Sequence, residues 1–282
     1  MKRHRFAILF VLVLLLGSIS SLNVAGTRKV PELQFTDHEE SYEFIWNNPE
    51  DPYLTELRTK YELEKLVAGA KSDLDRVKMI TRWVSGLWKH DGSNTPKQND
   101  PLYILDQVQK GERFRCVEYA IVINGCLNAL GIPSRTLSLK TADVETRESG
   151  AGHVVVEAWL RDARRWAFAD GQWNAVPTYN NEPISAVEFQ RYIAKDSSRL
   201  RIEGFNGIKR IIYFNWIAEY LYYFDIPLDS RVVGQSMPQK LMLVPLGAPR
   251  PTVFQRNWPI TNMAYTNSVR AFYPTPAMIS EN

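Results

Sequence analysis

Residues 115–135 read RCVEYAIVINGCLNALGIPSR. Val117, Ala120, Ile121, Ile123, Leu127 and Leu130 supply apolar positions throughout the run, which stops at Gly131 with Pro133 beyond, the signal of a helix C-terminus. The stretch therefore predicts a buried helix that starts at Cys116. Cys116 and Cys126 are the only two cysteines, and ten residues of helix hold them about 15 Å apart. Bridged cysteines need Cα atoms within about 7 Å, so both are expected to be free thiols. Cys126, mid-helix among apolar neighbours, reads as core.

Free thiols are informative because the N-terminus reads as an export signal. Met1 to Arg5 is basic, Phe6 to Leu16 is uniformly apolar, and Gly17 to Ser21 is a small-residue stretch. Residues 1–25 are expected to be a signal peptide ending near Ser20 or Ala25. The apolar run is short of the ~20 residues of a spanning helix, although Ile19, Leu22 and Val24 could extend it into an uncleaved anchor. The expected location is outside the cytoplasm: periplasmic, extracellular or at the cell surface. The 282 residues carry 34 Lys+Arg and 31 Asp+Glu, a formal charge of +3. Lys2, Arg3 and Arg5 account for that excess, so the remaining chain is neutral. No nucleic-acid partner is expected, and no membrane contact beyond an N-terminal anchor. With 45% apolar and 23% charged residues, the composition is that of a folded domain.

Outward from the central helix, Glu56 to Val67 is a helix candidate. Ser72-Asp73-Leu74-Asp75 resembles a capping box, followed by Leu74, Val77, Ile80, Val84 and Leu87 at helical spacing. Asp100-Pro101 starts a short helix that Gly111 ends. Beyond Arg135 the period becomes strand-like. HVVVEAWL (153–160) and WAFAD (166–170) are separated by the polar RDARR, which predicts a hairpin. A two-residue turn pairs His153 with Asp170 and a four-residue turn pairs it with Gln172; both registers put His153 and Asp170 on one face. In the C-terminal part, Ser185 to Ala194 reads as a helix. The aromatic cluster of residues 211–225 reads as core and sheet-interface filling rather than a ligand platform, with irregular strands and loops beyond it.

A thiol in the first turn of a helix lies where backbone N–H groups and the helix dipole favour the thiolate. A histidine on a neighbouring strand can serve as base and acid, and a carboxylate beside it can hold its tautomer. Cys116, His153 and Asp170 supply these roles in that order. The four histidines (His4, His38, His90, His153) and two cysteines form no HExxH or CxxC pattern. No metal and no cofactor is expected.

GERFRCVEYAIVINGCLNALGIPSR, GHVVVEAWL and RRWAFADGQWN together resemble the transglutaminase-like superfamily of cysteine enzymes, over roughly residues 55–175. The family pattern is a Cys opening a helix that closes with Leu-Gly-Ile-Pro-x-Arg, then a strand His with Glu four residues on, then a Trp and a strand-ending Asp. Here these are Cys116, Leu130 to Arg135, His153 with Glu157, and Trp166 with Asp170. The resemblance implies an α+β, papain-like core with a central helix packed on an antiparallel sheet, and a catalytic Cys116-His153-Asp170 triad. Outside the resemblance, residues 26–54 are expected to form a lead-in, and residues 176–282 a β- and loop-rich extension packed on the core. Two departures stand out: Arg115 where many members have Gly, and Gly171-Gln172 where many have Pro-Thr. Arg115 and Gln172 are thus cleft candidates. Trp83 and Trp88 are candidates for the tryptophan that animal transglutaminases use as an oxyanion donor. Glu157 reads as structural. The expected activity is acyl transfer on peptide or protein amides through a Cys thioester, ending in transamidation, deamidation or hydrolysis. The alternative is an inactive module of the same fold that binds peptide or cell-wall glycan.

Overall fold

The computed structural model describes residues 30–232 and 238–276. The expected signal or anchor at 1–25 lies outside the described residues. Asp51 accepts the N–H of Tyr53 and opens α1 (Pro52–Lys60). Glu62 is left-handed (φ 49°), so the single helix expected over 56–67 is interrupted and a separate turn, α2 (Leu63–Leu66), follows. The Ser72 hydroxyl caps α3 (Asp73–Leu87) by accepting from Asp75 N at 3.1 Å. Asp100 caps α4 (Pro101–Gln109) in the same way. The fifth helix, α5 (Cys116–Ala129), is buried almost all round because α1, α3 and α4 enclose it. Gly125 admits Pro101 directly against its backbone. Gly131, at φ 70°, ends this segment as the sequence predicts.

Three strands follow: β1 (Ser134–Lys140), β2 (Gly152–Leu160) and β3 (Arg165–Ala169). Leu160 pairs with Arg165, so the hairpin has the four-residue turn. After it come β4 (Pro177–Tyr179), β5 (Glu182–Pro183), α6 (Ala186–Lys195) and β6 (Leu200–Ile202), whose strands make a small separate sheet. Then come α7 (Gly207–Ile217), β7 (Tyr223–Pro227), β8 (Lys240–Leu243), β9 (Val253–Phe254), β10 (Trp258–Pro259), β11 (Met263–Thr266) and α8 (Val269–Phe272). The main sheet has six strands in the order β11-β8-β7-β1-β2-β3. It is antiparallel except where β11 lies parallel to β8 at one edge. The C-terminal strands β7, β8 and β11 thus continue the sheet itself, where the sequence suggested irregular strands and loops wrapping the main domain.

Strand alternation builds two cores. Val156, Ala158, Ala167 and Ala169 face α5, and Leu137, Leu139, Val155 and Phe168 face α6, α7 and α8. Each fully buried Leu or Phe stabilises the fold by roughly 1.5–3 kcal/mol. On the second face Arg135 and Glu157 are cross-strand partners with no exposed surface, joined at 2.9 Å. Arg135 also donates to Phe272 O, and its guanidinium stacks on the Trp166 ring. Glu157 accepts from Ala186 N and the Tyr273 hydroxyl. The Arg-Glu pair therefore ties α6 and α8 to the sheet, in keeping with a structural role for Glu157. Among the described residues no helix is long and apolar enough to cross a membrane.

Candidate active site

Cys116 is the first residue of α5 and half-buried, and it is not bonded to the fully buried Cys126. The N–H groups of Cys116 and Val117 open the helix and have no acceptor within it. Arg115, the N-cap, is held on its own helix: Glu118 accepts from Arg115 N at 3.0 Å and from Arg115 Nη2 at 2.7 Å. Glu118 is completely buried, so the ion pair neutralises it and draws the arginine onto the first turn. Burial pushes the Cys126 thiol pKa far up, which keeps that sulfur in its neutral form.

His153 lies at the start of β2 and Asp170 just past the end of β3, diagonal neighbours on the face turned away from α5. His153 Nε2 donates to Asp170 Oδ2 at 2.9 Å, with both side chains buried. With Nε2 engaged, Nδ1 is the nitrogen left for the Cys116 side. Burial opposes charging of the imidazole. The charge and hydrogen bond of Asp170, with the neighbouring Cys116 thiol, outweigh it and lift the His153 pKa from 6.5 to about 9. Asp170 is itself tightly held. Its backbone exchanges hydrogen bonds with Ala175, closing the turn of residues 171–174, and Trp173 N donates to Oδ1 at 3.3 Å.

The packing of that turn accounts for Gly171. A Cβ there would lie 2.6 Å from Ile123 Cδ1 and 2.8 Å from Tyr119 Cβ, so the chain beside Asp170 rests directly on α5. Gln172 is half-buried in this turn, and no hydrogen bond links its amide to His153. Trp88 offers no free donor of the kind the sequence suggested. Trp88 is stacked on Tyr119 and donates its indole N–H to Phe114 O at 3.2 Å. Trp83 packs into the core of the helical layer against Tyr61.

Several groups at the site were not identified from the sequence. The Tyr213 hydroxyl, on α7 and fully buried, donates to Asp170 Oδ2 at 3.0 Å, beside the bond from His153. The Trp216 ring meets the His153 ring edge-on at 4.8 Å, and Tyr220 lies 5.8 Å from it. Trp173 packs against Tyr213 and Trp216, and its indole N–H is buried without an acceptor. Tyr213, Trp216 and Tyr220 belong to the cluster read as core, and nothing in their spacing links them to His153. His90 also borders the site. Burial, followed by the charge of His153, lowers its pKa.

Residues 62–171 match the family model of the transglutaminase-like superfamily. The match takes in α5, the hairpin and Asp170 but not α7. No curated protein sequence matches the chain. Among solved structures, a proposed cysteine protease from Cytophaga hutchinsonii is similar at 17% identity, over 47% of this chain and 46% of that one, with a TM-score of 0.34. A transglutaminase structure is similar at 19% identity over 42% of this chain and 31% of that one, TM-score 0.32. Red sea bream transglutaminase is similar at 17% identity over 45% of this chain and 29% of that one, TM-score 0.31. The chain spans less than half the length of each. Residues 62–171 form a transglutaminase-like core of mixed helix and sheet.

Proposed function

We propose that the chain is an exported thiol enzyme that transfers acyl groups from peptide or protein amides, with Cys116 as nucleophile, His153 as acid and base, and Asp170 as the group that orients His153. The observation that carries the reading is the buried His153–Asp170 bond of 2.9 Å beside a cysteine at a helix N-terminus. In the first step the Cys116 thiolate attacks the amide carbonyl, and the N–H groups of Cys116 and Val117 receive the developing oxyanion. His153, protonated below about pH 9, gives its proton to the leaving amine and a thioester remains. An incoming amine or water then returns a proton to His153 and attacks the thioester, which restores the thiolate and histidinium. An amine acceptor gives transamidation, and water gives deamidation or peptide cleavage.

The alternative of an inactive binding module drew on Arg115 in place of glycine. Its guanidinium is paired with Glu118, an arrangement that gives it a structural reason for being there. Iodoacetamide labelling, located by peptide mass, tests the enzyme reading. Cys116 is expected to react quickly well below the free-thiol pKa of about 8.5, and His153→Ala to slow it, while Cys126 stays unlabelled in the folded protein. Labelling of Cys116 at the rate of an ordinary thiol, indifferent to His153→Ala, would overturn it. Mass analysis of a glutamine- and asparagine-containing peptide, incubated with and without methylamine, separates the three outcomes.

A further inference from the structure

Five large apolar side chains are exposed among the described residues. Ile45, Leu246 and Trp258 lie on separate segments, as single surface hydrophobics commonly do. Ile208 (63% exposed) and Ile212 (53% exposed) instead sit one turn apart on α7. Four-residue steps carry the same row to Trp216 and on to Tyr220, just beyond the helix end. The opposite side of α7 is committed to the core through Tyr213, Phe214 and Ile217.

The row leads to the candidate active site. Trp216 lies 4.8 Å from the His153 ring and 5.1 Å from Tyr220. The Tyr220 phenol is half-buried and close enough to Cys116 for the thiol to contribute to its raised pKa, behind burial and nearer charges. From Ile208 to Trp216 the row is about 12 Å long, the span of three to four residues of extended peptide at roughly 3.3 Å each. Since α7 lies beyond residues 62–171, the row is not part of the family-matched core.

We propose that Ile208, Ile212, Trp216 and Tyr220 form a docking surface for an apolar segment of the substrate polypeptide, flanking the amide that Cys116 attacks. The inference rests on the enzyme reading and narrows its substrates to chains with bulky apolar residues within about four positions of the reacting amide. Continuity with His153 selects this occupant: a substrate held at the imidazole and extended along α7 covers both isoleucines and removes their surface from water.

The test compares Cys116 alkylation by iodoacetamide, N-octyl iodoacetamide and an iodoacetamide with a glycol-ether chain of the same length. The octyl reagent is expected to react about tenfold faster than the glycol ether, the effect of withdrawing roughly two methylene groups from water. In the double variant Ile208→Ser, Ile212→Ser this advantage should vanish while the iodoacetamide rate is unchanged. Both positions are exposed, so folding is not at stake. Fast, His153-dependent iodoacetamide labelling without an octyl advantage, or with one that survives the double substitution, would overturn the docking row alone. Slow iodoacetamide labelling would overturn the row together with the enzyme reading. A wild-type dimer that the double variant dissociates, seen by light scattering, would assign the row to a second copy and overturn the proposal.

Discussion

Asp170 Oδ2 accepts hydrogen bonds from both His153 and Tyr213, and all three side chains are buried. Two donors on one oxygen hold the carboxylate rotamer, and the carboxylate in turn holds the imidazole. Tyr213→Phe removes one bond to a charged group, an effect of about 1.5–3 kcal/mol. The variant is expected to melt at a lower temperature and to lose roughly tenfold or more in Cys116 labelling rate. The charge of Asp170 has a separate signature. In the folded protein His153 titrates near 9 against 6.5 for a free side chain. The stabilisation from protonating it is therefore complete below 6.5 and lost as the pH rises through 9. Asp170→Asn leaves burial far less opposed, so the His153 pKa, followed by ring-proton NMR, should fall well below 9. The loss of thermal stability between these two pH values should shrink with it.

At the scale of elements, the site depends on how closely α5 and the turn after β3 approach. Gly171→Ala places a methyl group against Tyr119 Cβ, an atom one bond from the helix backbone that cannot swing aside. The expected cost is about 1–3 kcal/mol in denaturant unfolding, with slower Cys116 labelling because the adjacent Asp170 moves with the turn. Beneath the second core, Glu157→Gln leaves Arg135 charged, buried and without an anion. A loss of about 3–5 kcal/mol is expected, measured in the same way. Labelling of protein that remains folded should change little, since Glu157 lies four residues along β2 from His153.

At the scale of the molecule, the sheet lies between a helical layer built around α5 and a second layer of α6, α7 and α8. A chain ending at Asn174 keeps the hairpin and Asp170 but exposes Leu137, Leu139, Val155 and Phe168 and loses β7, β8 and β11. It is expected to be insoluble, or to bind a hydrophobic dye and lack near-ultraviolet circular dichroism. Much of the molecule is nonetheless legible residue by residue. The Ser72 and Asp100 caps, the apolar run of α5 closing at Gly131, and the alternation of the hairpin are local signals. They suffice to start a helix at Cys116 and to put His153 and Asp170 on one face. The interruption at Glu62 carries no comparable signal, since a left-handed glutamate follows from its surroundings rather than its identity. The amino-acid order by itself determined the central helix, the hairpin, the two free thiols and the order of the three candidate groups, because each rests on periodicity or on residues close in the chain. Only the tertiary structure decided that Tyr213 supports Asp170, that Trp216 and Tyr220 wall His153, and that Trp88 and Arg115 already have partners. Those contacts join segments tens of residues apart, and burial of a shared surface, which no local pattern records, brings them together.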